Sequence, residues 1–438
     1  MSIPYAEIHM WGRMVGALTY DPEKRIGAFE YAEEWLRTGI AIDPINLAAA
    51  SGAVYQFPSL DYETYKGLPA VFADTLPDDF GNAVINAWLA REGRAPDTFT
   101  ALDRLLYTHT RGMGALEYHP GTRKKVVPDT NIELFSLVKM AQEVLDQRKG
   151  LNENLAENGA EALAELLLVG TSAGGARPKA VIAINADRTI IRSGQADIPK
   201  GFEHFLLKFD GVTEGKVDSE LFGDPFGFGR MEYTYYEMAR TVGIDISHSE
   251  LLLEGPRAHF MTQRFDRNGN EKLHYLSLCA IAHKSYKQPG LYSYEELFML
   301  MRELQLPRYD AEQLVRRMVF NVVMRNQDDH TKNFGFLLPR PVGSQKIQWR
   351  LAPAFDVAYS YKKDSPWVSQ HQMSINGKRD EFTIDDLIAA SPSKLKAVAI
   401  DALEQTLAIA NQWREYAKRN EVPTLLTEEI AGNLRLKW

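Results

Sequence analysis

The stretch Asn326-Gln327-Asp328-Asp329-His330-Thr331-Lys332-Asn333-Phe334 decides how this chain is read. It follows a run with helical periodicity over 311–325, so the sequence predicts a loop leaving the end of a helix. Inside it, an acidic residue is followed five positions later by Asn333. A carboxylate can take the proton of an attacking hydroxyl, and an amide oxygen suits a hard divalent cation. An isolated Asp-x4-Asn also occurs in ordinary solvated turns, so its companions must carry the argument.

Those companions arrive in a fixed order. The glycine-rich run Gly170-Thr171-Ser172-Ala173-Gly174-Gly175-Ala176-Arg177-Pro178-Lys179 lets backbone N–H groups approach phosphate oxygens, although it fits neither the Walker nor the dinucleotide pattern. Thr171 and Ser172 are the hydroxyls within that run. Lys208 lies in an apolar strand-like run, 205–209, where an ammonium needs an anionic partner. Glu232, on a helix expected over 230–242, is the candidate partner. Beyond the central loop, Phe355-Asp356 supplies a second acidic oxygen donor for magnesium. Backbone cradle, lysine, base and metal oxygens are the parts that phosphoryl transfer requires.

Around this set the chain reads as strand, turn, strand over 5–20, a helix after Pro77 led by Asp78 and Asp79, a further helix at 98–108, and a strand at 114–118. A helix at 132–147 precedes strands at 180–184, 204–209, 250–253 and 258–264, and the pattern is mostly helical from about 292. The prediction is an α+β chain with a two-lobed, protein-kinase-like fold, an additional N-terminal α+β subdomain and an all-helical C-terminal lobe. Its expected segments are 1–120, 121–265 (the strand-rich nucleotide-binding lobe) and 266–438 (the helical catalytic lobe).

Composition narrows the classes. In 438 residues, 50 Lys and Arg stand against 58 Asp and Glu, a net charge of −8, which argues against a chain that coats nucleic acid by itself. Cys279 is the single cysteine, excluding a disulfide framework or a cysteine-built metal centre and fitting a reducing compartment. No signal-like or membrane-spanning stretch is read, so a cytoplasmic protein without a membrane partner is expected.

The chain resembles the HipA family of serine/threonine protein kinases, toxins of type II toxin–antitoxin systems. The resemblance rests on Gly174-Gly175-Ala176-Arg177-Pro178-Lys179, Lys208, Arg264-Phe265-Asp266-Arg267, Asp328 to Asn333 and Phe355-Asp356, with Phe72 to Asp78 the best match in the N-terminal part. It implies ATP and Mg2+ as cofactors, with Asp328 the catalytic base and Asn333 and Asp356 the metal ligands. Gly174, Gly175, Ala176, Arg177 and Lys179 would cover the nucleotide, Lys208 with Glu232 would serve its phosphates, Gln263 to Phe265 would form the hinge, and His330 and Lys332 would line the site. Ser172 would be the autophosphorylated residue, with Thr171 an adjacent acceptor; Asp329 stays open as an alternative base. Implied partners are a HipB-like helix-turn-helix antitoxin, operator DNA reached through it, and a protein substrate such as an aminoacyl-tRNA synthetase. The same parts would serve a small-molecule kinase, and a degenerate kinase acting as corepressor is the reading from another class. Lys378-Arg379 is expected as a solvated basic turn.

Overall fold

The computed structural model describes residues 4–122, 132–147, 177–195, 197–217, 220–224, 226–342 and 347–438. The chain divides into two compact units, Met1–Phe226 with Leu252–Tyr275, and Gly227–Leu251 with Leu276–Trp438.

The first unit holds two five-stranded sheets. Strands β1 (Tyr5–Met10), β2 (Arg13–Asp21), β3 (Ile26–Tyr31), β4 (Val54–Tyr55) and β5 (Leu116–His119) pair antiparallel in the order β4-β3-β2-β1-β5. Alternation sets their faces: Ala6, Ile8 and Met10 on β1 and Phe29 and Tyr31 on β3 are buried. Trp11 and Gly12 join β1 to β2 with φ of 54° and 76°, the two left-handed positions of a tight hairpin turn. In the second sheet, β6 (Lys179–Asn185), β7 (Ile191–Ser193), β8 (Phe202–Lys208), β11 (Ser249–Glu254) and β12 (Arg257–Gln263) stand in the order β11-β12-β8-β6-β7. The intervening β9 (Val212–Val217) and β10 (Glu220–Asp224) form a separate hairpin.

Two helices supply apolar faces to one core with this sheet. The helix Asp79–Arg91 contributes Phe80, Val84 and Leu89, the helix Leu134–Gln147 contributes Leu137, Ala141 and Val144, and β6 and β8 contribute Ile182, Ile184, Phe205 and Leu207. Burying each large apolar side chain contributes about 1.5–3 kcal/mol. This core fixes β6 and β8, and therefore Lys179 and Lys208 at their ends.

The second unit is mostly helical. The helix Phe228–Thr241 packs Tyr235 against Phe320 and Trp413, at ring separations of 6.3 and 5.5 Å, and Tyr235 Oη donates to Met324 O at 2.7 Å. The helix Arg308–Val323 buries Leu314, Val315, Met318, Val319 and Val322. The strand Gly335–Leu338 pairs antiparallel with Arg350–Leu351, interrupting the helices, and the chain emerging from this pairing carries Asp356. No helix among the described residues is long and apolar enough to cross a membrane.

Candidate active site

The central loop starts where the helix Arg308–Val323 is stopped. Arg325 takes a left-handed backbone (φ 57°), and Asn326 N–H reaches back to Asn321 O at 2.9 Å, a closure that turns the chain off the helix axis. Asn326 Nδ2 adds a bond to Asn321 Oδ1 at 2.9 Å. Further along, Asn333 Nδ2 donates to Asp328 O at 2.8 Å, which closes the loop over five residues. That bond commits the amide nitrogen, so Asn333 Oδ1 is the atom left to act as a donor oxygen.

The adjacent carboxylates have opposite surroundings. Asp329 is buried and saturated: Tyr294 Oη donates to Oδ2 at 2.9 Å, His371 Nδ1 lies 2.9 Å from Oδ2, and Gln372 N–H donates to Oδ1 at 2.8 Å. Burial pushes its carboxyl up, but the His371 ring and these hydrogen bonds outweigh that and hold it below the usual carboxylate range. Asp328 keeps about a third of its side-chain surface in contact with solvent. Its Oδ1 accepts from Trp367 Nε1 at 2.7 Å and lies 3.7 Å from His330 Nε2, and among the described residues no hydrogen bond reaches Oδ2.

Asn333, Phe355 and Asp356 line one cavity together with Asn326 and Asp329. Asp356 has a left-handed backbone (φ 54°), a conformation that Asp tolerates better than most residues and that gathers at functional loops. Asn333 and Asp356 therefore bring an amide oxygen and a carboxylate to one place, a donor set that fits magnesium, which takes few protein ligands and keeps several waters. The loop carries a wall of rings: Tyr286 lies 5.4 Å from His330, His330 lies 6.2 Å from Trp367, and Lys332 Nζ sits 5.1 Å over the Tyr286 ring. Glu232 is buried on the helix Phe228–Thr241.

The expected nucleotide residues of the first unit form a second group. Lys179 and Lys208 face each other in register on β6 and β8, and both are buried. Lys179 Nζ is 3.2 Å from Asp78 Oδ2, while Asp78 Oδ1 caps the helix Asp79–Arg91 by accepting from Gly81 N–H at 2.6 Å. Burial raises the Asp78 carboxyl above its ordinary value against the pull of Lys179. Lys208 Nζ lies 5.7 Å from the centre of the Phe260 ring. Two ammoniums on one rung of a buried sheet concentrate positive charge of the kind that polyphosphates neutralise.

At the expected hinge, Gln263 Nε2 donates to Glu203 Oε1 at 3.4 Å, Arg264 N–H is committed to His204 O at 2.9 Å, and Phe265 lies 5.6 Å from Tyr275. The neighbouring Asp266 has a structural task. It accepts from Arg264 Nη2 and Arg267 Nη1, each at 2.6 Å, and from Gly114 N–H at 2.7 Å. Burial acts against the ionised form, and the two guanidiniums reverse it, leaving the carboxyl far below its usual range. Gly114 (φ 76°) admits this staple because a Cβ there would sit 2.9 Å from Tyr275 N. Arg177 is described only at the edge of the glycine run; Thr171, Ser172, Gly174, Gly175 and Ala176 lie outside the described residues.

Three participants escaped the sequence reading: Trp367 on Asp328, the triad around Asp329, and Asp78 on Lys179. Only Asp78 left a signal, as an acidic residue ahead of a helix. The turn expected to be solvated, Lys378-Arg379, is exposed at Lys378 and half-buried at Arg379, and both side chains are also engaged, with Lys378 Nζ on Asp386 Oδ2 at 2.7 Å and Arg379 Nε on His371 O at 2.6 Å.

Residues 171–419 match the HipA-like C-terminal domain, and residues 6–119 match the HipA N-terminal domain. The chain belongs to the HipA-like family. HipA of Shewanella oneidensis MR-1, from a structure with HipB and operator DNA of a toxin–antitoxin system, shares its fold: the TM-score is 0.62 at 16% identity, over 98% of this chain and 94% of that one. Among sequences, Y4mE of Sinorhizobium fredii (strain NBRC 101917 / NGR234), provisionally named a kinase, is 24% identical over 358 residues, 75% of this chain and 73% of that protein. The family match covers both the central loop and the paired lysines.

Proposed function

We propose that this HipA-like chain is an ATP- and Mg2+-dependent serine/threonine protein kinase whose catalytic base is Asp328. The observation that carries the choice is the division between neighbours: Asp329 has both oxygens occupied in a buried network, whereas Asp328 is partly open to solvent, has no hydrogen bond on Oδ2 among the described residues, and is tied through its carbonyl to Asn333. Asp328 would orient the acceptor hydroxyl and receive its proton. Asn333 and Asp356 would hold the magnesium, which supplies charge neutralisation at the phosphates when bound.

Lys208 and Lys179 would meet the phosphates, with Glu232 as the partner of Lys208 and Arg177 and the glycine run over the nucleotide. Gln263 to Phe265 would face the adenine through groups other than Arg264 N–H, and His330 and Lys332 would border the transferred group. The likeness to a HipA found with HipB and operator DNA supports a HipB-like antitoxin as partner. Self-inactivation at Ser172 or Thr171 and a protein such as an aminoacyl-tRNA synthetase as target complete the proposal on the family resemblance alone.

The test is the intact mass of the purified chain before and after Mg-ATP, with Asp356→Asn alongside. A gain of one phosphoryl group, mapped to Ser172 or Thr171 and absent in the variant, is expected. An unmodified chain that gains nothing and binds no nucleotide would refute the reading.

A further inference from the structure

The segment that follows Asp356 approaches both acidic residues of the central loop. Ser365 Oγ accepts from Trp367 N–H at 3.1 Å and Val368 N–H at 3.2 Å, a local turn that fixes the tryptophan backbone. Gln372 Nε2 donates to Trp367 O, and Gln372 N–H is one of the donors to Asp329 Oδ1. His371, the other donor from this segment to Asp329, is held in turn by Arg379, its N–H on Arg379 O at 2.9 Å. Asp329 thus anchors the segment, and the anchored segment delivers Trp367 Nε1 to Asp328 Oδ1 at 2.7 Å.

We propose that Trp367 is a positioning residue for phosphoryl transfer: its indole N–H holds Oδ1 of Asp328 so that Oδ2 is the oxygen presented to the acceptor hydroxyl. This rests on Asp328 being the base. In the transfer itself the acceptor oxygen forms a bond to the γ-phosphorus, the bond from that phosphorus to the β,γ-bridging oxygen breaks to leave ADP, and the acceptor proton passes to Asp328 Oδ2. An indole suits the task because it donates and cannot accept, so it neither competes for the proton nor offers a hydroxyl to be phosphorylated. Its ring is also rigid and packed near His330.

The test begins with the contact. In protein labelled with 15N-tryptophan, the indole resonance that disappears in Trp367→Phe should move in Asp328→Ala; an unmoved resonance overturns the proposal whatever the activity. Kinetics follow, with γ-labelled Mg-ATP as donor and the chain itself and dephosphorylated casein as acceptors. Trp367→Phe, which keeps a ring and removes the N–H, should lower kcat about 10- to 100-fold while KM for ATP changes less than about twofold.

In the Asp328→Ala background the same change should alter the residual rate less than about twofold, because one bond cannot be lost twice. An unchanged or faster Trp367→Phe enzyme refutes positioning, the faster case making the indole a plug. An equal fall in both backgrounds refutes it too, marking a role in folding alone. If Asp328→Ala keeps the wild-type rate, the base assignment has failed and takes this inference with it; if Asp328→Ala is inactive and Trp367→Phe normal, only the inference falls.

Discussion

Replacing each of the two adjacent acids separates anchoring from chemistry. Asp329→Ala strands three buried donors, Tyr294 Oη, His371 Nδ1 and Gln372 N–H, each of which had bonded to a carboxylate oxygen at 2.8–2.9 Å. A stranded buried donor costs about 1–3 kcal/mol, and breaking a buried ionic network by removing one member costs about 3–5 kcal/mol in all. Relaxation and non-additivity favour the lower total, so about 4 kcal/mol is expected. Asp328→Ala removes one hydrogen bond from a side chain partly in water, for about 1 kcal/mol. For a unit of this size each kcal/mol moves the melting temperature by about 2–4 °C. Differential scanning calorimetry should therefore place Asp329→Ala roughly 10 °C below the wild type and Asp328→Ala within about 4 °C of it. Labelled-phosphate transfer in the Asp328 variant should fall to a small residual rate. The reasoning is refuted if the two variants melt within about 2 °C of each other, or if Asp328→Ala transfers phosphate normally.

Two further outcomes test the first unit. Asp266→Ala leaves the Arg264 and Arg267 guanidiniums facing each other with no anion, so its urea unfolding midpoint should fall by the equivalent of about 3–5 kcal/mol; an unchanged midpoint would mean that the staple to Gly112–Gly114 is not stabilising. His274 is fully buried with Nε2 2.7 Å from Ile42 O, and burial lowers its pKa from 6.5 to about 4. Its neutral form is the folded one, so the unfolded chain takes up the proton first as pH drops. Stability is whole above about 6.5 and lost between there and about 4, by about 3 kcal/mol, and His274→Gln should flatten that part of the stability profile measured by urea unfolding.

What the sequence disclosed and what it withheld follow one physical division. The helix after Pro77, the strands bearing Lys179 and Lys208, and the helical run before Asn326 were legible because periodic burial is written locally. The strand Ile26–Tyr31 was missed although its alternation is present, since Gly27 and Glu30 dilute the apolar signal. Asn333 and Asp356 were legible as hard oxygen donors from their residue types and their order along the chain, and the structure brings both to one cavity. The different surroundings of Asp328 and Asp329 were not legible, for neighbouring side chains diverge and their partners come from elsewhere: Tyr294 is 35 positions away, His371 is 42, and Trp367 is 39. The same distance hid the role of Asp78, read as a helix-starting charge while its partner Lys179 lies on a strand of the other sheet.

The Lys378-Arg379 turn is exposed at Lys378, as its sequence suggested, and its partners are what the sequence withheld. Two cations in a turn look solvated when read locally, yet Lys378 meets Asp386 and Arg379 holds the His371 backbone, next to the residue that anchors Asp329. A charge whose counterpart is local can be judged from sequence, but a charge whose counterpart is delivered by the fold cannot. In this chain the second kind includes Asp329, which holds the segment after Asp356 in place. That dependence makes Asp329 the residue whose loss should disturb Asp328 indirectly, through Trp367, while leaving Asn333 and its bond to the Asp328 carbonyl in place.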